Sequence, residues 1–290
     1  MTGDYSTQER QMPVINTNVS SLIGQAALNR NNRDLQKVME QLSTGRRINS
    51  ASDDAAGLAI SQGMTAQIRG LNQAIRNAND GISLIQTAEG ATNEVGNMLQ
   101  RMRELAVQSS NDTYNDGVDR NAMDTELQGL LQEIDRIANV TKWNGKSIFD
   151  AATTFDFQVG FSNTSDDKIT IVTTKLKADE FGATGLNLSA LSVALKADAQ
   201  STLDTIDAAL NELNTARASM GGYINRLNFT VDNLSNVATH LSESRSRIQD
   251  TDYAQASSEL AKRQIISQAA TAMLAQANQT PQTVLQLLKQ

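Results

Sequence analysis

The sequence has no cysteine, two prolines (Pro13 and Pro281), one histidine and only 4% aromatic residues. Without cysteine there are no disulfides, no zinc–thiolate sites and no thiol nucleophiles, and the compartment stays open. The lone histidine, His240, occurs outside any HExxH pattern, so no histidine-based zinc site is expected. With so few aromatics and prolines, the interior must be built from Leu, Ile, Val, Met and Ala, which favours helices packed along seams. Positive charge is also short: 25 Lys and Arg stand against 32 Asp and Glu, a net charge of −7. That balance gives no electrostatic case for nucleic acid. No apolar run approaches the roughly 18 residues of a membrane span, so no membrane insertion is expected. The opening MTGDYSTQERQMPVINTN lacks a basic stretch followed by an apolar one, so no cleaved signal peptide is expected. Residues 1–12 are polar and aperiodic and are read as an extension outside the fold, with Met12 as an alternative start.

What the chain does have is helical periodicity. From Leu203 through Ile206, Leu210, Leu213, Arg217, Met220, Ile224, Leu227, Val231, Leu234, Ala238, Leu241 and Arg245 to Ile248, steps of three and four alternate without a slip. This is a sustained heptad seam, and it predicts a helix over 200–250. Gly221-Gly222 weakens it locally and is expected to mark close contact with a neighbouring helix. Upstream, Ile68, Leu71, Ile75, Ala78, Ile82 and Ile85 keep the same step. After a phase slip near Gly90, Val95, Leu99, Met102 and Ala106 resume it, giving a helix over 55–110. A third helix fits 121–138, with Leu127, Leu130, Leu131, Ile134 and Ile137 on one face. These apolar stripes read as core packing, since no polar ligand set accompanies them.

Residues 140–195 change character. VTKWNGKSIFD carries an Asn-Gly turn signal, and FDFQVGFSNTSDDKITIVTTKL has two alternating runs around a turn-rich SNTSDD, so small β-hairpins are expected. The ends of the chain, 18–44 and 254–279, are helical but lean. They are rich in Ala, Gln, Asn and Ser, and should be marginal alone. Partners from other subunits are expected to complete them.

The stretch QLSTGRRINSASDDAAGLAIS, residues 41–61, interrupts this pattern. It is open to reading as a phosphate loop, a catalytic constellation or a joint. GxSxG and GxxxxGK[ST] are absent, and so is a strand-linked GxGxxG. Asp53-Asp54, Asp166-Asp167 and Asp250/Asp252 are carboxylate pairs without a partner group for acid–base work. Asp53-Asp54 precede AAGLAI, where a helix start favours a side-chain cap and negative charge. STGRRINSAS therefore breaks one helix and SDDAAGLAIS starts the next, while SRSRIQDTDYAQ repeats the theme near the other end. The stretch is a joint, centred on Gly45, Arg46, Arg47, Asp53 and Asp54.

Several long strings resemble bacterial flagellin in order along the chain. They are PVINTNVSSL, LSTGRRINSASDDAAGLAIS, NANDGISLIQTAEGA, LQRMRELAVQSSNDT, KWNGKSIFD, NLSNVATHLSESRSRIQDTDYA and QAATAMLAQANQTPQTVLQLL. Trp143 departs from the family's usual Phe, and large outer domains between about 185 and 195 are missing. The resemblance implies a mainly α fold: a long coiled-coil helical rod with a small β-hairpin region and paired N- and C-terminal helices. It implies a terminal inner-tube domain of 13–45 with 254–290, a core rod domain over 46–253, and spoke joints near 43–54 and 246–254. The implied function is the structural subunit of the flagellar filament, extracellular, exported unfolded through the type III channel and needing no cofactor. A hook–filament junction protein shares this terminal-helix design. Some flagellins carry a metallopeptidase in an outer insert, and this chain has neither the insert nor the histidines. The implied partners are copies of itself, an export chaperone, and the cap and hook-junction proteins, together with a host Toll-like receptor. For that receptor, and for a lateral subunit contact, Arg101, Leu105 and Gln108 are expected on a flanking stripe of their helix, with Glu133 on the next.

Overall fold

The computed structural model describes residues 17–149, 154–176, 188 and 191–287, with side chains as far as residue 279. The proposed extension at 1–12 lies outside the described residues. The elements in chain order are α1 (Val19–Thr44), α2 (Ala55–Ser109), α3 (Asp119–Val140), β1 (Lys142–Trp143), β2 (Lys146–Ser147), β3 (Thr154–Gln158), β4 (Lys168–Val172), α4 (Lys196–Gln249) and α5 (Tyr253–Leu287). The fold is mainly helical with small hairpins, and the terminal helices α1 and α5 pair. The chain divides into two compact units, residues 1–65 with 242–290 and residues 66–241, and both boundaries fall inside α2 and α4.

The 66–241 unit owes its core to the heptad seam. Ile206, Leu213, Met220, Leu227 and Leu234 of α4 are buried, and Leu203, Leu210, Ile224 and Val231 pack partly buried beside them. On α2 the seam passes through Ala88 and Thr92, both almost inaccessible, between Ile85 and Val95. The slip near Gly90 is thus one extra step of three, a stammer that overwinds the seam without breaking the helix. Met123, Leu127, Leu131, Ile134 and Ala138 of α3 close the third side. At Gly81 the missing side chain lets Leu227 of α4 and Phe157 of β3 approach, each 3.3 Å from where a Cβ would stand. Gly221 and Gly222 have no such neighbour, so the expected close helix contact there is absent. Gly222 instead lines an open groove beneath the β3–β4 hairpin.

The hairpins follow their turn chemistry. Asn144 and Gly145 both take positive φ (47° and 81°), which a two-residue turn of this hand requires, and pair Trp143 with Lys146. In the second hairpin Phe155 opposes Ile171 and Phe157 opposes Ile169. Ile169 and Ile171 alternate with exposed neighbours and face the core.

One extended segment is held by side chains from three helices. Ser109 Oγ donates to the Val193 carbonyl at 2.7 Å, and Gln128 Nε2 donates to Leu191 O at 2.8 Å. Val193 N donates to Asp124 Oδ1 at 2.8 Å, and Thr202 Oγ1 to Ser192 O at 2.7 Å. Beside it the buried Arg120 donates to the Ser109 and Asn111 carbonyls and pairs with Asp116. Its guanidinium thereby satisfies carbonyls that the end of α2 leaves open.

Leu227→Ala should lower the stability of this unit by about 2–5 kcal/mol, the usual cost of deleting a buried leucine. Phe229→Ala, at a side chain 75% exposed two residues on, should change it by less than about 0.5 kcal/mol. Chemical denaturation of the two variants checks the contrast.

Candidate functional site

Two places carry the residues singled out from the sequence. The first is the joint, wholly within the 1–65 and 242–290 unit. α1 ends because Gly45 adopts the left-handed conformation (φ 69°) that other residues resist. The chain then runs antiparallel to the stretch before α5. Arg47 N donates to Gln249 O at 2.6 Å, Thr251 N donates to Gly45 O at 3.0 Å, and Arg46 bridges Asp250. The Arg47 guanidinium donates to Ile248 O at 2.6 Å, and Gln41 Nε2 to Arg47 O at 2.9 Å. Ile48 is buried between them, 1% exposed.

The two aspartates divide the work. Asp54 accepts from Gly57 N at 2.8 Å and caps α2. Asp53 accepts from the backbone of Asn49 and Ser50 and pairs with Lys37 of α1 at 2.9 Å. The Lys37 hydrogen bond, with the Ser50 and Asn49 N–H groups, outweighs the opposing effect of burial. Together they lower the carboxyl from 3.8 to about 2. The remaining carboxylate pairs are structural too. Asp252 caps α5 through Ala254 N at 2.9 Å, and Asp167 gathers Ser162 N and Thr164 Oγ1 in the hairpin turn. His240 is an exposed residue of α4. Among the described residues no cluster of His, Cys, Asp or Glu could hold a metal ion, and no helix is long and apolar enough to cross a membrane.

The second place is the flank of α2 in the 66–241 unit. Arg101 is 48% exposed and pairs with Glu104 at 3.0 Å and with Glu126 of α3 at 2.9 Å. The hydrogen bonds to Glu126 and Glu104 raise its pKa above the ordinary guanidinium value. Gln108 is exposed and donates to Tyr114 Oη at 3.3 Å. Glu133, seven residues beyond Glu126 on α3, makes a two-pronged pair with Arg136 at 2.6 and 2.7 Å, which lowers its carboxyl pKa. Leu105 corrects the helix arithmetic: it is 2% exposed and packs within the core. Arg101 reaches α3 on that side, so α3 covers the flank and the apolar face is wider than a two-position seam.

Sequence reasoning missed Lys37, Tyr253 and Arg120. Tyr253 Oη donates to Leu42 O at 2.8 Å across the joint. Arg120 had one signal, a cation in the first turn of α3, where the helix dipole disfavours it.

Residues 15–154 match the bacterial flagellin N-terminal helical region, and residues 203–288 match the bacterial flagellin C-terminal helical region. The chain belongs to the bacterial flagellin family. It is 47% identical to a flagellin of Halalkalibacterium halodurans over 277 residues, covering 95% of this chain and 100% of that one. It is 43% identical to a flagellin of Bacillus subtilis over 304 residues, covering 95% and 99%. A Vibrio parahaemolyticus structure described as a flagellar hook-associated protein covers 68% of this chain and 100% of its own, with a TM-score of 0.56 at 16% identity. That likeness is one of fold alone. Flagellin is the subunit of the extracellular flagellar filament, a structural and not an enzymatic role, and this chain serves motility as such a subunit.

The Asp53 pKa lies below its unfolded value, so its stabilising contribution is complete above about pH 4 and lost as pH falls towards 2. Hydrogen exchange at residues 45–54 should therefore accelerate between pH 4 and pH 2 beyond the intrinsic trend. Asp53→Asn should remove that extra pH dependence.

Proposed function

We propose that α1 and α5, with residues 13–45 and 254–290, form the inner-tube domain of the filament subunit. Residues 46–253 form the core rod domain, and the joints near 43–54 and 246–254 act as its spoke. The observation that carries this reading is how little the terminal pair buries. In α1 only Asn31 and Val38 are buried, while Leu22, Ile23, Met39, Ile265 and Met273 are more than half exposed. Residues of that kind on a helix pair need cover, and in a helical homopolymer further copies of the chain supply it. The same exposed face is what an export chaperone would shield before assembly, when the chain travels unfolded. The cap and hook-junction proteins then meet the subunit at its assembly sites. The hook–filament junction reading has less support, because identities of 47% and 43% over 95% of the chain are with flagellins.

We further assign the Arg101, Gln108 and Glu133 surface to lateral contact between subunits and, in shed monomer, to a host Toll-like receptor. Leu105 supports that surface from beneath. Assembly would cover it, so monomer and not intact filament should signal.

Purified chain seeded with flagellar fragments should grow filaments visible by electron microscopy, and deletion of 254–290 should abolish growth. Filaments of normal length from the truncation would overturn the inner-tube assignment. In a receptor-activation assay, Arg101→Ala and Glu133→Ala should each weaken monomer by about tenfold, as the loss of a strong interface side chain does. Their thermal stability should be unchanged, whereas Leu105→Ala should lower it.

A further inference from the structure

Along the seam that joins α2 to α4 in the 66–241 unit, two positions are polar. On α4 the seam positions from Leu203 to Leu241 are apolar except Arg217, and on α2 those from Ile68 to Ala106 are apolar except Thr92. Three contacts give the alignment of the two helices. A Cβ at Gly96 of α2 would stand 3.3 Å from Leu213 of α4, one at Gly81 would stand 3.3 Å from Leu227, and Arg103 pairs with Asp207 at 2.6 Å. The residue numbers of these pairs sum to 308–310, so one antiparallel alignment covers them all. In that alignment Arg217 stands at the level of Thr92. The two polar positions of the seam therefore meet each other, and they meet at the overwound turn that Ala88 and Thr92 carry. Arg217 is half-buried, and its Nε is buried with no hydrogen-bond partner among the described residues. Thr92 is inaccessible, and its Oγ1 donates to Glu89 O at 2.8 Å, a bond that leaves its oxygen able to accept. The second seam arginine repeats the combination in the other unit, where Arg245 Nη1 donates to Thr65 Oγ1 at 3.4 Å.

We infer that Arg217 and Thr92 fix the register of α4 against α2. A seam of alternating three and four steps can slip by one heptad and still set apolar residues against apolar residues. Here a slip in either direction moves Arg217 from Thr92 to Ile85 or Leu99, which are 1% and 0% exposed. The arginine would then lie among bulky apolar side chains with no polar group beside it, a costly placement for a charge. An arginine at a seam avoids that cost by laying its stem along apolar surface while the charged head reaches out. The small side chains of Ala88 and Thr92 leave room for such a stem at this level, and Ile85 and Leu99 do not. The polar layer gives up some stability and in return excludes the wrong alignments, as a single polar seam position does in a coiled coil. Alignment matters to a filament subunit. One heptad is about 10 Å along a helix. A subunit slipped by that distance could not repeat the contacts of its neighbours in a helical polymer. The inference concerns the 66–241 unit alone and does not depend on which residues form the inner tube.

The test is a double-mutant cycle in full-length chain refolded from denaturant. Because the chain has no cysteine, an introduced pair alone reports alignment. Arg103→Cys with Asp207→Cys marks the observed register. Arg103→Cys with Gln200→Cys, or with Asn214→Cys, marks a slip of one heptad in each direction. These positions lie beside the seam, outside its buried residues. The refolded chains are oxidised, and the intramolecular disulfide yield of each pair is read by peptide mapping. With Arg217 and Thr92 in place, the pair at 103 and 207 should dominate. Arg217→Leu completes the apolar seam and should raise the slipped yield at least about tenfold, as removing the penalty on a buried charge would. Thr92→Val keeps the shape and removes the hydroxyl. It should raise the slipped yield in the Arg217 chain and change it less than about twofold in the Arg217→Leu chain. Absence of either rise overturns the inference, and so does an equal effect of Thr92→Val in both backgrounds. Should Arg217→Leu fail to refold, Thr92→Val in the Arg217 chain decides alone: a rise in slipped yield supports the inference and none overturns it.

Discussion

The proposed assembly of this chain depends on pairing two helices that come from its opposite ends and bury very little apolar surface. α1 and α5 meet through small and polar residues, with Val38 and Ala256 as their buried apolar members among the described residues. Such a pair is marginal on hydrophobic grounds. What aligns it is hydrogen bonding: the backbone bridges around Gly45, Arg47 and Gln249, and amide donors reaching carbonyls on the other helix. The other unit is built on the opposite principle, with a long apolar seam of fully buried Leu, Ile and Met side chains. A subunit that, as proposed, leaves the cell unfolded and then polymerises would benefit from this division, with one part folding on its own and the other completed by neighbours.

The functional chemistry is accordingly one of surfaces rather than of a reaction. Carboxylates that look paired in the sequence cap helices or organise turns, and Arg47 of the joint donates to carbonyls. On the α2 and α3 flank, the charged groups are held by ion pairs at close to half exposure. Pairs in that setting add little stability. Their value lies in presenting fixed charge to whatever covers the flank.

Much of the architecture was legible because it rests on periodicity. The seam from Leu203 to Ile248, the helix over 55–110 and the Asn144-Gly145 turn all follow from local spacing. The phase slip near Gly90 was visible too, although only burial shows that Ala88 and Thr92 carry the seam through it. Leu105 was misplaced because wheel arithmetic on one helix knows nothing of a second helix packed on its flank. Gly221-Gly222 misled for a related reason, since glycine spacing cannot tell a close approach from an open groove. The polar contacts across the chain were beyond reach. Asn18 and Ala277 are 259 residues apart, and no local rule pairs them.

The central claim is that the terminal pair is stable only in the polymer while the seam-built unit is stable alone. Residue-resolved hydrogen exchange on monomer and filament tests it most directly. The account predicts strong protection of buried positions in α3 and of α4 around Leu213 and Leu227 in both states. It predicts protection of α1 and α5 in filaments alone. Equal protection of α1 and α5 in monomer and filament would contradict it.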